Sequence, residues 1–196
     1  AHLASIGKFG LPAVVAINSF PGDTEAEHGL IVEAALAAGA SGAVVTRNWP
    51  AGGEGAAELA RAVEAAAAKP SKPTFLYPLD ASIKDKIGAL AREVYGADRV
   101  EYSADAEAAI GTYSELGYGN LPICMAKTQY SLSHDPALKN APKGYAFQVS
   151  DLRLAAGAGF IYPLSGETTT MPGLPALPGY MGMDIDTATG RITGLS

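Results

Sequence analysis

Cysteine is nearly missing from this chain of 196 residues, where Cys124 stands alone. A single thiol forms no internal disulfide, and no Cys/His set has the spacing of a zinc site. That usage fits a reducing compartment, and the cytoplasm is the expectation. Long hydrophobic runs are missing too. None reaches the roughly 18 residues of a membrane span, so no membrane partner is expected. The opening AHLASIGKFG has no signal-peptide pattern and does not start with Met. Charge is sparse, at 17% of residues, and 14 Lys+Arg against 20 Asp+Glu leave a net charge of −6. No basic cluster offsets that sign, which disfavours a nucleic-acid partner. The phosphate-binding pattern GxxxxGK(S/T) occurs nowhere, and there is no internal repeat.

Apolar residues, at 48%, are plentiful enough to build a core, and they fall into an alternating order. AVVAI (13–17) predicts a strand buried on both faces, GAVVT (42–46) a second and TFLY (74–77) a third. Helices are predicted between them at 24–38 and 54–68. The first opens on the capping box Thr24-x-x-Glu27 and closes at Gly39, with Ile31, Ala35 and Ala38 on one face and His28 at the surface. The order β-α-β-α-β implies a parallel sheet with right-handed crossovers. Two more helices are predicted at 82–95 and 104–116, around a short strand at 99–102. Beyond residue 120 the alternation stops. Strands are expected at 122–127, 145–154 and 160–164, and a hairpin in MDID-TATG-RITGL. The fold expected is therefore α/β, with a parallel βαβαβ core in 1–78 followed by a smaller mixed α/β segment in 79–196. The two segments could equally form one continuous domain of a larger enzyme.

In an open parallel sheet, ligands bind outside the carboxyl ends of the strands. The first strand ends in Asn18-Ser19-Phe20-Pro21-Gly22-Asp23, the second in Arg47-Asn48-Trp49-Pro50-Ala51-Gly52-Gly53. If the strands are neighbours, Phe20 and Trp49 share one rim, each followed by a stiffening proline. Two aromatic faces there could clamp a planar heterocycle, each contact worth about 0.5–1.5 kcal/mol beyond buried area. The competing reading packs each ring under its own loop. Asn18 could fasten its loop to the neighbour. Gly52 and Gly53 begin GGEG, whose free N–H groups at a helix start could hold an anion. Lys127 and Arg153 are weaker electrostatic candidates; Lys127 lies at the end of an apolar strand with Thr128 and Gln129. Cys124, flanked by apolar residues, is expected to be buried and inert, and His134 is expected to serve a turn. Gly157 and Gly159 permit close backbone approach, and Thr168 to Pro175 reads as a rigid loop.

The strings VVAINSFPGDTEAE, NWPAGGEGAAELA, YGADRVEY, LGYGNLPICMAKTQYSLSHD, RLAAGAGFIYPLSG and TMPGLPALP occur in that order. Together they resemble the C-terminal portion of formate–tetrahydrofolate ligase, over essentially the whole chain. The resemblance implies a P-loop-NTPase-like architecture and an ATP-dependent ligase of one-carbon metabolism. Formate and ATP give formyl phosphate, and tetrahydrofolate N10 then attacks the formyl carbon. It implies that Phe20, with Pro21 beside it, and Trp49 sandwich the pterin ring. ATP and Mg would serve as substrates of the complete enzyme, alongside tetrahydrofolate. The family's P-loop and formyl-phosphate residues lie in an N-terminal region that this sequence does not contain. That region or chain is the implied partner, and a homo-oligomer is implied as well. Ser19 and Gly22 stand where the family more often has a larger residue and Thr, and Pro50 and Ala51 vary the stretch after the tryptophan. The alternative is a non-catalytic folate-binding or assembly subunit. A flavodoxin-like domain would need a phosphate loop that is not seen.

Overall fold

A computed structural model describes residues 1–127, 130–166 and 177–194 of the chain. Helix α1 (His2–Lys8) leads into strand β1 (Val14–Asn18). Helix α2 (Glu25–Ala37) starts on the expected capping box: Thr24 Oγ1 accepts the Glu27 N–H at 3.3 Å, and Glu27 Oε2 accepts the Thr24 N–H at 2.8 Å. It ends at Gly39, whose φ of +91° suits glycine. Strand β2 (Gly42–Thr46) follows and pairs with β1 in parallel, Val14 opposite Gly42 and Asn18 opposite Thr46. A short helix α3 (Asn48–Ala51), a 3₁₀ turn (Glu54–Ala56) and helix α4 (Ala57–Ala67) complete the first region.

The buried stripe of α2 differs from the expected one. Its buried residues are His28 and Ala35, with Val32 half-buried between them, while Ile31 and Ala38 are exposed. Apolar and acidic residues are both spread around the helix, with Glu25, Glu27 and Glu33 pointing in different directions, so spacing alone did not select a face. The strand expected at 74–77 does not form either. Pro73 and Pro78 bracket it, and prolines donate nothing to a ladder. Instead the Thr74 N–H donates to the Phe9 carbonyl at 3.1 Å, and Tyr77 turns into the other half of the molecule. The first region therefore carries a two-stranded parallel pair, and β1 is only partly covered, with Ile17 as its one buried residue.

The second region begins with helix α5 (Ile83–Glu93), capped where Ser82 Oγ accepts the Asp85 N–H at 3.1 Å. Strand β3 (Arg99–Tyr102), helix α6 (Ala104–Glu115), strand β4 (Ala146–Val149) and the antiparallel pair β5 (Asp151–Ala155) and β6 (Phe160–Leu164) follow. Strands β3 and β4 are parallel. The segment expected as a strand at 122–127 runs beside β6 through two bridges, Ile123 to Ile161 and Ala126 to Leu164. The hairpin of β7 (Asp184–Ile185) and β8 (Ile192–Thr193) lies exposed, its turn tied by Asp186 Oδ1 to the Ala188 N–H at 2.9 Å. The principal core joins Tyr77, Ile83, Ile87, Leu90, Phe147, Val149, Leu152 and Ile161. The architecture is thus mixed α/β with small sheets.

Candidate functional site

The expectation that the first two strands are neighbours holds, and their carboxyl ends lie side by side. Asn18 and Thr46 are register partners, and the Ser19 N–H donates to the Thr46 carbonyl at 3.0 Å, extending the ladder by one rung. Beyond it the first loop closes on itself. The Asp23 N–H donates to the Phe20 carbonyl at 3.0 Å, and Asp23 Oδ2 accepts the Phe20 N–H at 2.8 Å. Pro21 and Gly22 occupy the middle of this turn, where a fixed φ suits proline. The backbone of Phe20 is thus held on both sides while its ring is 63% exposed.

The second loop is a helical turn rather than an irregular one. The Ala51 N–H donates to the Arg47 carbonyl at 3.0 Å, and Trp49 and Pro50 lie inside that turn, where proline's missing N–H costs no bond. The Arg47 N–H donates to the Gly55 carbonyl at 3.0 Å. A Cβ at Gly55 would lie 2.3 Å from the Arg47 carbonyl oxygen, so this glycine is required by close backbone approach. Gly52 has a φ of +57°, and Gly53 caps the 3₁₀ turn with no side-chain bond. Trp49 is 84% exposed. The reading in which each ring packs beneath its own loop does not survive these exposures.

Polar side chains fill the floor between the loops. Thr46 Oγ1 lies 2.8 Å from Asn48 Oδ1 and 3.4 Å from Asn18 Oδ1, so its single proton serves the nearer Asn48. Asn18 does reach its neighbour, but only through that longer contact. Arg47 Nη2 pairs with Glu25 Oε1 at 2.8 Å, tying the second loop to the start of α2. The hydrogen bonds from Thr24 hold the Glu27 carboxyl below the usual carboxylate range.

The remaining candidates belong to the second region. The Lys127 amine donates to the Ser131 carbonyl and lies 5.8 Å over the Tyr95 ring, and burial pushes its pKa down. Arg153 sits on β5, its Nε 3.6 Å from Asp151 Oδ2. Both are engaged locally rather than held out as ligand-seeking charges. Cys124 is exposed, contrary to expectation, because the 122–127 segment alternates: Ile123 faces the core and Cys124 faces out. His134 sits at the turn expected of it, its ring 5.6 Å from Phe147 in an edge contact. Thr128, Gln129 and the Thr168–Pro175 loop fall outside the described residues.

Two buried groups escaped the sequence reading. His28 is only 3% exposed, not a surface residue, and neither ring nitrogen has a hydrogen-bond partner. Lys86 is fully buried, its Nζ donating to the carbonyls of Gly119 at 2.5 Å, Leu121 at 2.8 Å and Leu79 at 3.0 Å. Burial pushes its pKa down, partly opposed by Asp80. Its spacing with Ile83, Ile87 and Leu90 on one helical face was the available signal.

All 196 residues match the family described as formate–tetrahydrofolate ligase. The chain belongs to that family. It is 54% identical over 188 residues to the formate–tetrahydrofolate ligase of Roseiflexus sp. (strain RS-1), covering 96% of this chain and 33% of that protein. It is 51% identical over 196 residues to the formate–tetrahydrofolate ligase of Spinacia oleracea, covering 100% of this chain and 31% of that protein. It is also 51% identical over 197 residues to the mitochondrial C-1-tetrahydrofolate synthase of Schizosaccharomyces pombe, covering 100% of this chain and 20% of that protein. The chain thus spans a fifth to a third of the length of these relatives. Among the described residues, no helix is long and apolar enough to cross a membrane.

Proposed function

We propose that this chain supplies the tetrahydrofolate side of a formate–tetrahydrofolate ligase, with Phe20 and Trp49 gripping the pterin between them. The observation that carries this reading is the pair of exposed rings at adjacent carboxyl ends of parallel strands. Pro21 stiffens the first loop, and the Arg47–Glu25 pair steadies the second. A bicyclic ring entering the rim gains stacking on both faces without either side chain leaving a packed interior. The Asn18, Thr46 and Asn48 floor offers amide and hydroxyl groups to the edge of such a ring.

The phosphate chemistry is proposed to come from a P-loop-bearing region, in keeping with the P-loop-like architecture the family implies for the complete protein. This sequence contains no GxxxxGK(S/T), and the described residues contain no group of three acidic, His or Cys side chains that could hold a metal. The residues present do not fit Mg–ATP, and no step through it is assigned to them. In the complete enzyme, formyl phosphate made on that side would meet the tetrahydrofolate N10 held at this rim. The product would be 10-formyltetrahydrofolate, with ADP and phosphate.

The second reading is a folate-binding or assembly subunit without catalysis of its own. Tetrahydrofolate titrations separate the two. Under the first reading, the full-length enzyme turns over ATP with formate and tetrahydrofolate, and Trp49→Ala weakens folate binding. Folate binding, or joining to a P-loop-bearing chain, without formate-dependent ATP turnover in the full-length protein would establish the second; a stable 20 kDa monomer that does neither would overturn both.

A further inference from the structure

His28 lies beneath the candidate rim, on the first turn of α2, with both ring nitrogens buried and without a hydrogen bond. A buried polar group in that condition is costly unless something offsets it. Two carboxylates face it, one on each side. Nε2 is 3.6 Å from Asp23 Oδ2, and Nδ1 is 3.7 Å from Glu25 Oε2. These are ion-pair separations, longer than hydrogen bonds. A neutral imidazole has one N–H, whereas an imidazolium has two, one for each carboxylate.

Both carboxylates already hold the rim. Asp23 accepts the Phe20 N–H, and Glu25 pairs with Arg47, two residues before Trp49. A continuous chain therefore runs from Phe20 through Asp23, His28, Glu25 and Arg47 to the turn that carries Trp49. Glu27, also on α2, adds a third carboxylate, itself held by Thr24. Strands β1 and β2, on which α2 packs, contribute no titratable side chain.

We infer that His28 is a positioning residue that braces the two aromatic loops against each other, and that its charged form sets their spacing. The functional consequence rests on the pterin-clamp reading; the brace itself does not. With the imidazolium present, both carboxylates are drawn inward and the loops are tied. A neutral ring has a single N–H and can tie only one of the two carboxylates, so the brace between the loops is broken.

The test uses the full-length enzyme and two readouts. First, fluorotryptophan is incorporated and the Trp49 fluorine signal is assigned by its loss in Trp49→Phe. Without ligand, that signal should differ between pH 6 and pH 8. His28→Phe and Glu25→Gln should each abolish the movement; Glu25→Gln guards against a folding defect at position 28. Second, tetrahydrofolate should bind about two- to fivefold more tightly at pH 6 than at pH 8, the range one partly exposed ion pair can supply. In both variants the affinity should be the same at the two pH values. A flat wild-type signal, or a step that survives in His28→Phe, overturns the inference. If Phe20→Ala and Trp49→Ala leave folate affinity unchanged, the clamp fails alone, and the brace is judged on the fluorine signal.

Discussion

The two parallel strand pairs differ in what surrounds them. In the first region, β1 and β2 are flanked by α2 and α4, and the buried residues there are Ile17, His28, Ala35, Thr46 and Ala66. Small side chains and two polar ones make a thin interior, and the bulky aromatics point outward. In the second region, β3 and β4 sit against α5, α6 and the β5–β6 pair, and Phe147, Ile87, Ala91 and Ile161 are wholly buried. There the carboxyl ends open on a crevice of about 420 Å³, lined by Tyr102, Ser103, His134 and Ser150. One region holds the molecule together, and the other presents its side chains to whatever approaches. Binding residues placed on a thinly packed scaffold are expected to affect ligand affinity far more than stability.

The largest effect that would expose this contrast is in the second core. Phe147→Ala removes a fully buried ring in contact with Tyr95, Tyr145 and His134, and should cost about 3–5 kcal/mol in urea unfolding. A loss under 1 kcal/mol would erase the distinction between the regions. Next comes Trp49→Ala, expected to lower tetrahydrofolate affinity by about 1–3 kcal/mol, by analogy with base–aromatic stacking. Calorimetry on the full-length enzyme measures the first quantity. The unfolding free energy should change by no more than about 0.5 kcal/mol, because an exposed side chain carries little stability.

Thr24→Ala sharpens the comparison within the first region. Losing the capping box should cost about 1 kcal/mol, and amide exchange should quicken across α2 without reaching α5. A further effect is alkaline. Burial pushes the Tyr102 hydroxyl up to about 12, and Tyr145, also in the second region, up to about 12. A phenol whose folded pKa lies above its unfolded value of 10 stabilises fully below pH 10, and that stabilisation is lost as pH rises toward 12. Tyr102→Phe should flatten part of the decline in the urea midpoint between pH 10 and 12. An unchanged slope would mean that the alkaline loss originates elsewhere.

Much of the molecule was legible because short-range chemistry decides it. Thr24-x-x-Glu27 with Gly39 marked both ends of α2, the helix expected at 104–116 is α6, and GAVVT matched β2 residue for residue. The misreadings came where two partners competed for one segment. TFLY has strand composition, but its bracketing prolines leave it poorly equipped for a ladder, and Tyr77 finds a better place accepting the Ile123 N–H at 2.9 Å. His28 and Ile31 exchanged places because apolar and acidic residues are mixed all round α2 and give no face to read, so the packing of α2 on the strands decided it. Lys86 was hidden by its charge: its spacing puts it on the buried face, but two of the three carbonyls that accept from it, those of Gly119 and Leu121, come from a segment more than thirty residues away. At the rim, the residues and their strand-end placement were readable. The Asp23–His28–Glu25–Arg47 chain was not, because it depends on the burial of His28 and on the Arg47–Glu25 contact, which joins residues 22 apart.

The close approach of Gly55 to the Arg47 carbonyl has a further consequence. Any residue with a β-carbon at that position would have to displace the peptide on which the tryptophan turn begins. Gly55→Ala is therefore a remote lever on the indole, altering its stance while every rim side chain stays intact. The orientation of the chain's bulkiest side chain depends on the absence of a methyl group six positions further along.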